Sequence, residues 1–269
     1  MTANGSTGLQ RMTRQYESAL QKQIQGGIDV RVQMAAALAV HRSDGNLQRC
    51  DDDSIMACVF EASRLGFSLI KASGEAYLVP YKDKGTPVCT LIIGYRGMIK
   101  AAVRGGTVAA IKALAVHKND TFDFWDSVSG SRDTGGFQLR RSLGDRGNLV
   151  AVVPVATHPN GMVSWDIMSR AEIERRRAVA KASPVWRDWP EEQSLKTALR
   201  WFLKRIPQGP NQDLARVVQA DYRGEQGLPA PKMNETYTEV IDVESELVAP
   251  PPSEDEYNEL VEAEGNDGY

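Results

Sequence analysis

The spacing of apolar residues changes at residue 94 and predicts a buried strand that leads directly into a helix. Residues 91–93 form a short, largely β-branched apolar run, which is typical of a buried strand. From residue 95 onward the apolar positions recur at the spacing of an amphipathic helix. Gly94 lies between the two segments and permits a sharp turn. The sequence therefore predicts a strand–turn–helix unit over residues 91–104.

The helix in this unit carries a row of basic residues with no acid among them. Arg96, Lys100 and Arg104 are four residues apart, so they lie along one side of a helix. A second predicted helix, which begins at Pro190 and ends before Pro207, repeats the pattern. One such row is as typical of a solvated helix face as of a binding site, but two rows favour a surface that holds a polyanion. The basic residues of the second row are Lys196, Arg200, Lys204 and Arg205.

The rest of the pattern predicts an α+β fold with mixed helices around a small antiparallel sheet. Ser169 and Glu172 stand at capping-box spacing and predict the start of a helix. The first two predicted strands form a protruding β-hairpin, whose tip carries Lys82 and Lys84. Other helices are predicted over residues 9–25, 32–40 and 55–65, and strands over 75–81, 86–93, 107–116, 121–125, 137–140, 149–156 and 162–168.

Three aromatic residues stand beside basic ones and are candidates for stacking against nucleic-acid bases. Tyr81 precedes the hairpin tip, Tyr95 opens the first basic helix, and Trp186 precedes the second. Aromatic side chains provide sequence-tolerant stacking platforms for unpaired bases. Tyrosines of a hairpin are also common cross-strand partners, and each of these rings could equally belong to a core.

Charge divides the chain into two parts. Residues 224–269 contain 13 acids and one base, a net charge of −12, whereas residues 1–223 contain 22 acids and 31 bases, a net charge of +9. A basic body with an acidic tail is typical of a nucleic-acid binder with an attached regulatory or partner-binding segment. The tail has few large apolar residues, so we predict that it is disordered. It could compete with DNA for the basic surface or bind another protein.

Several enzyme classes lack their sequence signatures here. The chain has no Gly-Lys dipeptide and no Gly-x-Gly, which excludes a P-loop and the dinucleotide fingerprint. No apolar run is long enough to span a membrane, and three scattered cysteines fit a reducing compartment. Asp120, Asp123 and Asp126 could serve a metal-dependent nuclease, although a strand would direct them to alternating faces. These absences favour a binding protein.

Several motifs occur in the order found in one known family. Residues 91–98, Leu-Ile-Ile-Gly-Tyr-Arg-Gly-Met, resemble the signature of the RecT family of phage single-strand annealing proteins. The resemblance covers roughly residues 10–222, and both basic rows fall inside its best-matched motifs. Further stretches that resemble the family are residues 65–66, 74–81, 168–173, 183–186 and 196–200, with Lys204 and Pro207 after the last of them.

The resemblance implies a protein that coats single-stranded DNA and pairs complementary strands without ATP. It implies homo-oligomeric rings or helical filaments and a groove for the annealed duplex intermediate. It also implies a partner phage exonuclease, with the host single-strand binding protein as a further candidate partner, and no membrane. The expected location is the cytoplasm of a bacterial host, with the gene carried by a phage or prophage. No cofactor is expected to be required, and Mg²⁺ would act only as a modulator of the DNA.

We therefore predict a DNA-annealing core and a separate tail. The core spans residues 1–223, with the helices over residues 9–42 at subunit contacts, and the acidic tail spans residues 224–269. The alternatives are a metal-dependent DNA nuclease and a structural phage assembly protein whose basic faces contact acidic neighbours. No catalytic or metal-binding residues are predicted. The predicted DNA-binding residues are Tyr81, Lys82, Lys84, Tyr95, Arg96, Lys100, Arg104, Lys181, Trp186, Lys196, Arg200, Lys204 and Arg205.

Overall fold

Helices and strands are mixed along the chain, which confirms the predicted α+β class. The computed structural model describes residues 28–83, 85–125, 135–179, 184–207 and 212–231. The helix predicted over residues 9–25 lies outside these ranges. The helices are α1 Val30–Ser43, α2 Asp52–Arg64, α3 Tyr95–Arg104, α4 Arg170–Val179, α5 Pro184–Asp188, α6 Pro190–Leu203 and α7 Asp213–Glu225. The strands are β1 Ala76–Asp83, β2 Thr86–Ile93, β3 Ala110–His117, β4 Thr121–Trp125, β5 Gly136–Arg140, β6 Leu149–Thr157, β7 Val163–Trp165 and β8 Met168–Ser169.

The strands form three small antiparallel sheets rather than the single sheet that was predicted. β1 and β2 pair along their whole length, from Ala76 opposite Ile93 to Asp83 opposite Thr86. β4 pairs with β5 alone, while β6 pairs with β3, β7 and β8. Turn signals identify which consecutive strands pair, but they do not identify the edges along which separate pairs meet. That the first hairpin protrudes stays a prediction, and Lys84 at its tip lies outside the described residues.

Local signals mark the starts of three of the helices. Asp51 accepts a hydrogen bond from the Ser54 amide at 3.0 Å and so caps α2. The Ser169 amide donates to Glu172 at 2.8 Å, and the Glu172 amide donates to the Ser169 hydroxyl at 3.3 Å. This reciprocal pair confirms the predicted capping box at the start of α4. Pro190 occupies the first turn of α6, where its missing N–H costs no hydrogen bond.

Three apolar clusters hold the elements together. The largest packs β1 and β2 against α1, α2, α3, α6 and α7, with Phe67, Ile93 and Met98 among its fully buried side chains. A second packs β4 and β5 against β3, β6 and β7 through rings such as Phe137. The third joins β6, β8, α4 and α6 and thereby places α4 beside α6. None of the helices in the described ranges combines the length and the apolar character needed to cross a bilayer.

The packed chain continues past residue 223, the predicted end of the core. α7 extends to Glu225, and a Cβ at Gly224 would lie 2.4 Å from the Leu91 carbonyl oxygen, so the helix lies directly on β2. The Thr90 hydroxyl donates to the Gly227 carbonyl at 3.2 Å. α7 is buried through its apolar residues, whereas Glu225 at its end is exposed. The acidic composition therefore begins before the packed part of the chain ends. The predicted acidic tail from residue 232 onward lies outside the described residues.

Candidate nucleic-acid interface

The two helices that carry the predicted rows of cations lie side by side. α3 packs against both α6 and α7. The guanidinium of Arg200 on α6 donates to the carbonyl oxygen of Ile93, the last residue of β2. The strand–turn–helix unit and the second basic helix, which are about a hundred residues apart in the chain, therefore meet at the turn around Gly94.

Two cations of the α3 row are held by acids from other elements. The Lys100 ammonium lies 2.9 Å from a carboxylate oxygen of Glu75 and also donates to the Gly66 carbonyl at 2.8 Å. The Arg104 Nε lies 2.8 Å from a carboxylate oxygen of Asp213 on α7. Each side chain is about two-thirds buried or more. Both residues therefore fasten α3 to its neighbours.

Two cations of the α6 row are held in the same way by α7. Arg200 Nη2 lies 2.7 Å from Asp221, and the Lys204 ammonium lies 2.8 Å from the same carboxylate. Both also contact Glu225, at 3.2 and 2.9 Å. Asp221 is only 1% exposed, so these cations replace the water that would surround its carboxylate at the surface.

Although no acid lies within either basic row, Lys100, Arg104, Arg200 and Lys204 all have acid partners on other elements. The acids come from Glu75 and from α7, so inspection of the basic helices alone could not reveal them. A helix pattern shows which residues share a face, whereas ion pairing depends on the elements packed against that face. These contacts do not test the predicted DNA binding by the four residues, but they give each of them a structural role.

Two of the remaining cations lie against one aromatic ring where α3 meets α6. The Arg96 guanidinium carbon and the Lys196 ammonium each lie 6.0 Å from the Tyr95 ring centroid. Arg96 Nε also donates to the Tyr95 hydroxyl at 3.3 Å, and this hydrogen bond raises the pKa of Arg96. In the described part of the chain neither cation has a carboxylate partner. We call Tyr95, Arg96 and Lys196 the Tyr95 cluster.

Arg205, the last cation of the two basic rows, lies at a different aromatic ring. The Arg205 guanidinium carbon is 4.7 Å from the Trp201 ring centroid, and that of Arg176 on α4 is 5.7 Å from it. Neither Trp201 nor Arg176 was among the predicted DNA-binding residues. The available signal was the spacing of four between Trp201 and Arg205, which places both on one side of the predicted second basic helix. We call Arg176, Trp201 and Arg205 the Trp201 cluster.

The other predicted aromatic residues are engaged in packing. A Cβ at Gly227 would lie 2.7 Å from the Tyr81 ring, so this ring lies against the chain that follows α7. Trp186 is half-buried against the cluster that joins α4 and α6, and the Arg177 guanidinium carbon lies 5.8 Å from its centroid. Lys82 is exposed on β1, whereas Lys181 lies outside the described residues. Within the described residues, Lys82 and Trp186 have no ion pair, hydrogen bond or ring contact with the Tyr95 cluster.

The acids considered for a nuclease do not form a metal site among the described residues. Asp120 accepts hydrogen bonds from Arg146 Nε at 3.1 Å, from the Ser142 amide at 2.9 Å and from the His117 amide at 3.0 Å. These donors, Arg146 above all, hold the pKa of Asp120 far below its usual range. Asp123 is exposed on β4, and Asp126 lies outside the described residues. Asp120 therefore has a structural role, because it joins the end of β3 to the loop that precedes β6.

Comparisons with known proteins agree with the resemblance seen in the motifs. The model of the RecT family matches residues 32–223, which include α3, α6 and most of α7. Protein RecT of Escherichia coli strain K12 is 32% identical over 181 residues, which make up 65% of this chain and 65% of that protein. Uncharacterized protein YqaK of Bacillus subtilis strain 168 is 26% identical over 176 residues, 64% of this chain and 57% of that protein. The chain thus spans less than two thirds of the length of either relative. Since the family match covers more than half of the sequence, this chain belongs to the RecT family.

Proposed function

We propose that this protein binds single-stranded DNA and anneals complementary strands during recombination, without ATP and without covalent catalysis. Membership of the RecT family supports this role. The observation that carries it is the Tyr95 cluster, in which two cations without acid partners among the described residues flank an aromatic ring. This combination is suited to a strand with phosphates on one side and unstacked bases on the other.

In this proposal the cations hold the backbone and base pairing selects the partner strand. Arg96 and Lys196 contact phosphates, and such contacts carry no sequence information, so the protein accepts any strand. Neutralised phosphates also repel a second strand less strongly. Tyr95 stacks on a base, a contact that contributes about 1–3 kcal/mol in comparable proteins and keeps that base accessible.

The ion-paired residues act as the frame of the site. Arg200 ties α6 to the end of β2 and, through Asp221, to α7. Lys100 and Arg104 tie α3 to Glu75 and to α7. Because Tyr95 begins α3 and Lys196 lies one turn before Arg200, these contacts keep the cluster assembled. The frame allows the two unpaired cations to stay close to each other despite their repulsion.

Coating of a long strand requires copies of the chain to line up. We propose that self-association into a ring or filament joins the Tyr95 clusters of neighbouring copies into one track. A phage exonuclease that exposes single strands, and the host single-strand binding protein, are the proposed partners in a bacterial cytoplasm. Mg²⁺ would affect only the DNA in this scheme.

The direct test mixes two complementary fluorescent oligonucleotides with the protein in the absence of ATP. We expect annealing to be faster than the spontaneous rate, together with a mobility shift of each single strand and full-length DNA at the end. Cleavage of the strands in the presence of Mg²⁺ would instead support the nuclease. Failure to shift single-stranded DNA at low salt would contradict the proposal and leave the phage assembly role.

A further inference from the structure

Arg176 and Arg205 converge on one indole without an acid between them. Arg176 comes from α4 and Arg205 follows α6, and both guanidiniums lie within 6 Å of the Trp201 ring centroid, at 5.7 and 4.7 Å. In the described ranges, neither guanidinium has an ion pair with a carboxylate. The only side-chain hydrogen bond of Arg176 among these residues goes to a backbone carbonyl, that of Glu172, at 3.3 Å.

The acids nearest in the chain are already occupied. The Glu172 carboxylate accepts hydrogen bonds from the Ser169 amide and hydroxyl, at 2.8 and 2.9 Å. These bonds lower the pKa of Glu172, with smaller contributions from the charges of Arg176 and Arg175. Glu174 pairs with Arg170 at 2.6 Å and with Arg177 at 3.5 Å. The two acids of α4 therefore have other partners, and within the described residues Arg176 has no ion pair with a carboxylate.

Two like charges held on one ring favour an external anion. A guanidinium that stacks on an aromatic face keeps the N–H groups of its edge available for hydrogen bonds in the plane. Those edges match the paired oxygens of a phosphate or carboxylate, and charge-assisted bonds of this kind are the stronger ones. The two charges also lie within about one Debye length at 0.1 M salt, so solvent ions do not fully screen their repulsion.

The Trp201 cluster lies on a different side of α6 from the Tyr95 cluster. Trp201 follows Lys196 by five residues, which corresponds to a rotation of about 140° around the helix axis. Lys196 faces α3, whereas Trp201 faces α4 through Arg176. One anionic group therefore cannot neutralise both clusters at once.

We infer that Arg176 and Arg205 form a second phosphate-binding site, which takes a DNA phosphate other than the one at the Tyr95 cluster. The nature of the ligand rests on the proposed function. Trp201 is a positioning residue that holds the two guanidiniums on its ring. The phosphate belongs either to the strand bound first or to the incoming complementary strand. Annealing brings two backbones together, and two phosphate sites on different sides of α6 provide a contact for each or an extended path for one.

The test uses the full chain with Arg176→Gln, Arg205→Gln and the double variant. Arg187→Gln is the matched control, because Arg187 is 76% exposed on α5 and pairs with its neighbour Asp188. Binding of labelled oligo(dT) is measured as a function of salt. If the site holds the first strand, each substitution makes the negative slope of log K against log salt shallower by about 0.7, and the double variant makes it shallower by about 1.4. The control keeps the slope of the unmodified protein.

A second arm distinguishes the incoming strand. The protein is loaded with one strand, and the rate of annealing of the complementary strand is measured over the same salt series. If the site holds the incoming strand, the double variant keeps its affinity for the first strand but loses several-fold in annealing rate, with a weaker salt dependence. Variants that equal the unmodified protein in both arms would overturn the inference.

The role of Trp201 has its own comparison. Trp201→Phe retains a flat ring and should keep the salt slope, whereas Trp201→Leu should behave like the double arginine variant. If Trp201→Leu does not fold, as judged by circular dichroism, the arginine variants still test the site.

Should the unmodified protein bind no DNA, the proposed function fails, but calorimetric titration with inorganic pyrophosphate still tests the site. Binding of pyrophosphate that the double variant loses supports the site, and no binding overturns it.

Discussion

At the scale of single residues, identical charges on one helix have different surroundings. Lys196 lies against the Tyr95 ring, while Arg200, one turn later, is shared between a buried carboxylate and a backbone carbonyl. The spacing of four predicted correctly that both lie on one side of the helix. It could not predict which of them meets α7, because Asp221 is 21 residues farther along the chain.

Arg200→Met should lower stability and leave the salt dependence of DNA binding unchanged. The substitution removes charge-assisted hydrogen bonds to Asp221, and bonds to charged groups contribute about 1.5–3 kcal/mol each. Lys204 still contacts Asp221, so we expect a loss near the lower end of that range in urea unfolding. Lys196→Met should show the opposite behaviour, with a smaller salt slope and little change in stability. A reduced slope for Arg200→Met in the folded protein would restore it as a direct phosphate contact.

Asp120 should make the fold sensitive to acid. Its pKa is lower in the folded chain than in the unfolded chain, where an aspartate titrates near pH 3.9, so the ionised form stabilises the fold. This contribution is fully present above the unfolded pKa and is lost as the pH falls below it towards the folded value. Arg146→Met should lower the free energy of unfolding at pH 7 and flatten its decline between about pH 5 and 2.

The control for this prediction is Arg140→Met, since Arg140 is exposed on β5. Its urea midpoints should follow those of the unmodified protein at every pH. An acid limb of equal steepness in Arg146→Met and in the unmodified protein would show that Asp120 does not carry this dependence.

At the scale of elements, the turn and helix that carry Tyr95 depend on close approach of the backbone. A Cβ on Gly94 would lie 2.0 Å from the Gly74 carbonyl oxygen, and one on Gly97 would lie 2.4 Å from that of Glu75. Both glycines fall within the motif that resembles the family signature. Their role follows from the space they leave for β1 and the segment before it, not from an unusual backbone angle.

Gly97→Ala should destabilise the protein, even though alanine is more favourable than glycine inside a helix by about 1 kcal/mol. The added methyl group meets a backbone oxygen that cannot move without displacing the start of β1. We expect a clear fall in the thermal midpoint, of several degrees or more. Gly45→Ala is the control, because nothing lies within 4 Å of a Cβ there. A Gly97→Ala protein as stable as the control would contradict the close approach seen between α3 and Glu75.

Local sequence signals predicted helices and strands well where the interacting residues are close together in the chain. The cap at Asp51, the capping box at Ser169 and the proline at residue 190 each act within four residues. α5 and α7 were not predicted. The side chains of Leu214, Val217 and Val218 are buried and hold α7 against β2 and α3.

At the scale of the whole molecule, charge predicts a kind of ligand but does not indicate which cations form ion pairs within the fold. The net charge of +9 over residues 1–223 and the two basic rows point to a polyanion. The packed structure divides those cations into residues that fasten helices and residues that stay available. The Trp201 cluster unites α4 with the end of α6, so spacing within one segment could relate Trp201 to Arg205 but not to Arg176.

The most direct test of the central claim is the salt dependence of single-stranded DNA binding by Arg96→Ala/Lys196→Ala. Fluorescence anisotropy of a labelled oligonucleotide gives log K over a series of salt concentrations. We predict binding by the unmodified protein with a steep negative slope, and a slope shallower by about 1.4 in the double variant, because two phosphate contacts are lost. An unchanged slope in a folded double variant would contradict the assignment of the Tyr95 cluster as the DNA site.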